Sequence, residues 1–406
     1  LEGDDLLPDL AIGRLAVATP EEAAAAVEKI VSYDTDPEPG AWRSRVVYGA
    51  NYHVRGLFTE PSDRLAASYT EPLGLQSIKV YNEDNTPIPN VTGRRFLDAL
   101  NDGALLVNFN GHGSSGTMQF LFSLQFPDWD YLSQLNNGRR LPLVLALSCL
   151  NGMFANPHVE SLGEVFTDKA SGGSIAYISA SAESFVAQNK LLGERLFEQL
   201  FKRGNLEFGP SLNAAKTEVL AAHSSFKEAA LTMQLFGDPA QRLALQTAPD
   251  FVAEDLRLDA ETLFTNTSER VELSLDNHSI TTADSLLVLV LAHAPDGAAP
   301  DTLHHRRLPG FIAATSLTVP WPIGPAAGDY RLEVRLDPDG ETADAEPSNN
   351  SYQRRVEVLE PLIPTPAVPR PYAALPADEV AFTALLPLAA DGVGCEFAFA
   401  SSAAFD

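Results

Sequence analysis

Residues 108–116 read NFNGHGSSG. They follow the apolar run Ala104-Leu105-Leu106-Val107 directly and then exchange strand-forming residues for glycine and serine. A strand ending in a glycine-rich turn accounts for the pattern. The histidine within that turn is then either a solvated surface residue or a group held at a strand end for chemistry. The rest of the chain has to decide between the two.

Working outward, similar apolar runs recur at RVVYGA (45–50), ALLVNFN (104–110), LPLVLALS (141–148) and GGSIAYISA (172–180), with helical patterns between them from residue 11 to about 247. Strands that are apolar almost throughout suit a parallel sheet covered on both faces. The segment TPEEAAAAVEKIVSYD supplies a crossover helix with Thr19 as N-cap, Pro20 at its first position and Glu22 three residues after the cap. After Pro249 the grain changes to short alternating strands, VELSLDN (271–277), SLLVLVLA (285–292), YRLEVRLDP (330–338) and SYQRRVEVL (351–359). These predict a β-sandwich of about a hundred residues. From Pro361 the stretch PLIPTPAVPRPYAALP is extended and linker-like. The expected organisation is an α/β domain over 1–247, an all-β immunoglobulin-like sandwich over 250–360, and a Pro-rich linker and tail over 361–406.

Charge and composition narrow the partners. A chain of 406 residues is expected to form two or three domains. With 28 basic against 54 acidic side chains, its formal charge of -26 repels phosphate backbones and anionic lipid, so nucleic acid is not an expected partner. No run approaches the length of a membrane-spanning helix, so membrane insertion is not expected, and the opening LEGDDLLPDL lacks the basic start of a signal peptide. The two cysteines, Cys149 and Cys395, lie in segments of different character, which speaks against a disulfide framework.

Cys149 ends the apolar run of LPLVLALSCLNGMF (141–154), thirty-seven residues after His112. Catalytic groups of open parallel sheets collect beyond the carboxyl ends of the strands, so neighbouring strands ending in His112 and Cys149 would bring imidazole and thiol together. The pairing is chemically useful because the imidazole lowers the thiol pKa and can later protonate a leaving amine. Gly111 and Gly113 would let the backbone turn tightly at His112, and the N–H groups of Gly113 and Cys149 could stabilise a tetrahedral oxyanion. The alternative for Cys149 is a buried small hydrophobe.

The GHG after one strand, the SCLNG after the next, the opening PDLAIGRLAVATPEEAAAAVEKIVSYD and the closing LFGDPAQRL (235–243) together resemble the gingipain family of cysteine peptidases, which have a caspase-like fold. The resemblance spans roughly residues 6–245. It implies a thiol endopeptidase acting on protein or peptide, outside the cell or on a bacterial surface, with His112 and Cys149 as the catalytic dyad. It also implies that Asp63, in EPSDRLAASY, lies at the base of the primary specificity pocket and favours a basic P1 residue, and that Phe185, in ISASAESF, lines the same pocket. Asp63 has a second reading as the N-cap of a helix begun by Arg64. Where the family often places a carboxylate to orient the imidazole, this chain has Asn51-Tyr52-His53. Asn51 is the expected substitute, its amide oxygen accepting the ring N–H, and His53 is a second histidine left outside the mechanism. The family usually carries a further α/β subdomain ahead of PDLAIGR, so either a processed or incomplete chain, or one lacking that unit, is expected.

The stretch DYRLEVRLDPDGETADAEPSNNSYQRRVEV (329–358) resembles the cell-adhesion-related sandwich (CARDB) of bacterial surface proteins. Its acidic loop offers Asp337, Asp339, Glu341 and Asp344 as oxygen ligands for a structural calcium, or simply as a solvated acidic face. No other cofactor or metal is expected. Two functions compete with hydrolysis: a sortase-like transpeptidase of a secretion system, which resolves the same acyl-enzyme with an amine, and a catalytically silent surface or adhesive protein.

Overall fold

The computed structural model describes residues 6–52, 56–82, 91–119, 121–124, 131–156 and 158–361, with two short paired strands at 366–368 and 383–384. His53, Cys395 and nearly all of the expected tail lie outside the described residues.

The first region is built on strands β1 (Arg45–Ala50), β2 (Gln76–Tyr81), β3 (Leu106–Asn110), a small meander of β4 (Gly113–Ser114), β5 (Thr117–Met118) and β6 (Phe122–Ser123), then β7 (Leu143–Leu147), β8 (Ala176–Ala180) and β9 (Met233–Phe236). Six of these form one sheet in the order β2-β1-β3-β7-β8-β9. The first five are parallel; β9 runs antiparallel on the edge. Successive side chains of a strand face opposite sides. Along β7, Leu143, Leu145 and Leu147 enter one core while Val144 and Ala146 enter the other, so helices on both faces demand an unbroken apolar run. The edge strands β2 and β9 are not among the expected ones. β2 is half exposed and carries Gln76 and Lys79, so it lacks an apolar signature.

Helix Pro20–Thr35 starts as expected: the Thr19 hydroxyl accepts the Glu22 N–H at 3.2 Å and the Glu22 carboxylate accepts the Thr19 N–H at 3.2 Å. The opening and closing motifs meet in space. Arg14 donates to the Leu235 carbonyl and accepts from the Gly237 N–H, both at 2.9 Å. A Cβ on Gly13 would stand 2.1 Å from the Gly237 carbonyl oxygen, which explains the glycine in PDLAIGR.

The second region is a sandwich of β10 (Phe251–Leu258), β11 (Leu263–Phe264), β12 (Ser268–Asn277), β13 (Ser285–His293), β14 (Asp301–Pro309), β15 (Thr315–Pro322), β16 (Gly328–Leu336) and β17 (Ser351–Leu359). Its sheets are β10-β12-β15 and β11-β17-β16-β13-β14, packed around Trp321, Val288, Val290, Leu332 and Leu273. β13 alternates buried and half-buried residues along its whole length, as the period of two requires.

The acidic loop is held by local contacts. Asp337 accepts the N–H groups of Glu341 and Thr342. Asp344 accepts those of Phe251 and Glu346, Glu341 pairs with Arg307, and Asp339 is exposed. Local backbone donors therefore take up Asp337 and Asp344, two of the four carboxylates expected as calcium ligands.

The two regions are joined tightly. The Gln246 carbonyl accepts from Ile280 N–H and Ser279 Oγ, and the Thr247 carbonyl from Thr281 Oγ1. Ile280 packs on the α/β core, and Gly74, at φ 78°, lies so close under Ile312 that a Cβ would meet its carbonyl oxygen at 2.4 Å.

Candidate active site

β3 and β7 are adjacent and in register, with Asn110 opposite Leu147. His112 and Cys149 each follow two residues later, so the sheet delivers both to one level at its carboxyl edge. Both line a cleft of about 210 Å³ together with Leu57, Phe58, Pro61, Asn110, Leu147, Ser184, Val186, Asn189 and Lys190.

Two buried asparagines hold the arms of this site. The Asn51 carboxamide oxygen accepts the backbone N–H of His112 at 2.7 Å, and its nitrogen donates to the Gln119 carbonyl. Gln119 N–H donates to the His112 carbonyl at 3.0 Å. Asn51 thus extends the hairpin ladder by one amide. This differs from the expected role: its oxygen is committed to the main chain of His112 rather than to the ring. Gly111 is required by the same contact, since a Cβ there would stand 2.2 Å from the Asn51 oxygen.

Asn151 does the corresponding work for Cys149. Its nitrogen donates to the carbonyls of Ser114 and Thr117, and its oxygen accepts from Ser148 Oγ at 2.5 Å. The turn after Cys149 is therefore tied to the hairpin after His112. Leu150 adopts φ 64°, a left-handed conformation costing roughly 1–2 kcal/mol for a residue with a Cβ. Hydrogen bonds from Leu150 and Gly152 to the Ala182 and Ala180 carbonyls hold the strained reversal. A Cβ on Gly113 would lie 2.9 Å from the Cys149 carbonyl oxygen, so the two candidate oxyanion residues are in direct backbone contact.

The Cys149 thiol is half-buried and unbridged. Its sulfur accepts the Ser184 N–H at 3.4 Å, lies 3.5 Å from the Ser184 carbonyl oxygen and 3.7 Å from Ser184 Oγ. Asn189 Nδ2 donates to that hydroxyl at 2.9 Å. Among the described residues the sulfur's hydrogen bonds all go to Ser184. The exposed His112 ring stands edge-on to Phe58, with centroids 5.1 Å apart. Ser184, Asn151 and Leu150 were not singled out from sequence; a serine, an asparagine and a leucine carry no signal until the chain is folded.

Asp63 lies in the last turn of helix Thr59–Leu65, whose N-cap is Phe58, so it caps nothing. Its carboxylate pairs with Lys79 at 2.9 Å and accepts from the Tyr81 hydroxyl at 3.0 Å. It is turned toward β2 and is not among the cleft-lining residues. Phe185 is 54% exposed and also outside that lining. Helix Val186–Phe197 instead presents Val186, Asn189 and Lys190 to the cleft, one stripe at i, i+3 and i+4.

Replacing Asn51 with Ala should remove the partner of the part-buried His112 N–H and Gln119 carbonyl and destabilise the domain by roughly 1–3 kcal/mol, seen as a lower midpoint in urea. Unchanged stability with reduced turnover would instead assign Asn51 to the imidazole ring.

The profile of peptidase family C25 matches residues 1–244. Gingipain R2 of Porphyromonas gingivalis is 25% identical over 192 residues, which are 44% of this chain and 24% of that relative. Gingipain R1 of the same species is 25% identical over the same length, 18% of its own. The chain thus spans less than a quarter of the curated relatives it matches. Among solved structures, that of the Arg-specific cysteine proteinase gingipain R superposes over 88% of this chain and 77% of its own, with a TM-score of 0.53 at 17% identity; at that identity the likeness concerns the fold. With the family profile covering more than half of its length, this chain belongs to peptidase family C25.

Proposed function

We propose that the chain is a thiol endopeptidase in which His112 and Cys149 act as base and nucleophile. The observation carrying this reading is the register of β3 on β7, which sets both residues two positions beyond one aligned pair and on one cleft. His112 takes the proton of Cys149, and the thiolate adds to the scissile carbonyl. The N–H groups of Gly113 and Cys149 stabilise the oxyanion, and the imidazolium protonates the departing amine. Water, deprotonated by the same imidazole, then releases the acid and restores the thiol. Because the resting thiol is bonded to Ser184, substrate entry has to turn the sulfur toward His112; active-site hydrogen bonds commonly tighten only in the substrate complex.

The family resemblance and the attached sandwich support action outside the cell or on a bacterial surface. No helix among the described residues is long and apolar enough to cross a membrane.

The decisive experiment is reaction of the intact chain with a peptidyl acyloxymethyl ketone, followed by mass measurement. One adduct on Cys149, absent from Cys149→Ala and accompanied by loss of peptide hydrolysis in that variant, is expected. A chain that forms no adduct would be the silent surface protein, and one that forms it but transfers peptide to added amines faster than to water would be the transpeptidase.

A basic P1 residue finds no carboxylate among the described residues lining the cleft, whose walls are Leu57, Phe58, Pro61, Leu147 and Val186 with the cation Lys190. Lys190 has no ion-pair partner among the described residues. An apolar or acidic P1 side chain is the better match. In a positional-scanning peptide library, Leu or Glu at P1 should exceed Arg in kcat/KM by about tenfold or more, a difference near 1.4 kcal/mol, and Lys190→Glu should narrow the gap. An Arg preference in the parent chain would refute this and leave the peptidase reading intact.

A further inference from the structure

Among the described residues, a buried histidine with neither ring nitrogen hydrogen-bonded lies away from the cleft, in the sandwich where it meets the α/β domain. His278 follows β12 directly and is 6% exposed. Its backbone is paired, donating to the Asp250 carbonyl at 2.9 Å, but neither ring nitrogen has a hydrogen-bond partner. Leaving such a group buried and unsatisfied is unfavourable, so a partner is expected.

What faces the ring is a pair of carboxylates. Nε2 lies 3.5 Å from Glu254 Oε1 and 3.9 Å from Asp276 Oδ2. One ligand atom from each of the three residues falls within 4.8 Å of the others. These separations exceed the 2.7–3.2 Å of a hydrogen bond involving nitrogen. They approach the spacing of ligands around one tetrahedral cation, because bonds of about 2.1 Å place neighbouring ligand atoms roughly 3.4 Å apart. The backbone is shaped for the arrangement. Pairing of β10 with β12 shifts register between Ala253 and Asp255, making Glu254 the extra residue of a β-bulge, a feature that re-aims a side chain. Asp276, opposite Val252 in the same ladder, supplies the second carboxylate from the neighbouring strand.

Charge compensation from protein groups is not in evidence at the pair. Glu254 and Asp276 line a cavity of about 380 Å³ that Arg45, Glu71 and Gly74 of the α/β domain also line. Arg45, however, donates to Gln76 and to the Asp102 carbonyl, and Glu71 pairs with Lys79. The cavity leaves room for water at a fourth position.

We propose that Glu254, Asp276 and His278 bind one divalent cation of the zinc class at the junction of the two regions. One imidazole and two carboxylates with an open position are a ligand set suited to Zn²⁺; calcium prefers six to eight oxygens. The cation would neutralise the facing carboxylates and occupy the orphaned ring nitrogen, fastening the end of β12 to the bulge of β10.

The test uses the full chain, stripped with chelator and dialysed. Titration with Zn²⁺ followed calorimetrically should give one bound ion per chain and raise the melting temperature, and Co²⁺ in its place should give the intense visible absorption of a tetrahedral site. Because His278 is buried and His278→Gln could unfold the chain, the informative variants are Glu254→Gln and Asp276→Asn at the more accessible ligands. Each should lose about tenfold or more in Zn²⁺ affinity while keeping the melting temperature of the metal-free parent within a few degrees. Stoichiometric binding that survives in the Glu254→Gln/Asp276→Asn double variant would overturn the assignment. So would stabilisation by Ca²⁺ without Zn²⁺, and so would the absence of binding, which would leave an imidazolium held between two carboxylates.

Discussion

The in-register parallel pairing of Asn110 with Leu147 is the constraint on which the site depends. A shift of one residue would reverse the side of the sheet to which each side chain points and would separate the imidazole from the thiol. The register is specified by burial, since β3 and β7 have no exposed residue and the apolar side chains of each strand divide between the two cores. Beyond the strands, where the ladder ends, two fully buried asparagine side chains continue its work by offering donors and acceptors to main-chain groups. The catalytic candidates therefore sit on backbone that is nearly as constrained as the sheet, while their own side chains remain accessible.

The turn at Cys149 stores strain to achieve this. A left-handed leucine directly after Cys149, gripped by the Ala180 and Ala182 carbonyls, forces the chain to reverse sharply and leaves the cysteine at the apex. The cost is modest beside the burial of β7 and β8. The thiol is then close enough to Ser184 for that residue's N–H and hydroxyl to approach the sulfur.

Much of this was legible in the sequence because burial on both faces writes itself as unbroken apolar runs: β1, β3, β7 and β8 fall where RVVYGA, ALLVNFN, LPLVLALS and GGSIAYISA predict them. The capping box at Thr19 was equally plain, being local chemistry. Edge strands were not, since β2 has no need to hide Lys79. The parts of the site that escaped are those created by tertiary contact. Asn51 looked like an orienter of the imidazole because of its place in the chain, and only the fold reveals that the hairpin consumes its carboxamide. Asp63 was read as a pocket base or as a cap; the helix beginning at Thr59 removes the cap, and its carboxylate pairs with Lys79 and Tyr81. The bulge that turns Glu254 toward His278 has no signature in a strand of ordinary composition.

The central claim is that His112 and Cys149 share a proton across the cleft. The most direct measurement is the rate of Cys149 alkylation by iodoacetamide as a function of pH, in the parent chain and in His112→Ala. The account predicts that at neutral pH the parent is alkylated about tenfold or more faster than the variant, because only the parent has a base beside the thiol. Superimposable profiles would contradict it, because an imidazole that leaves the thiol's titration unchanged is not its base.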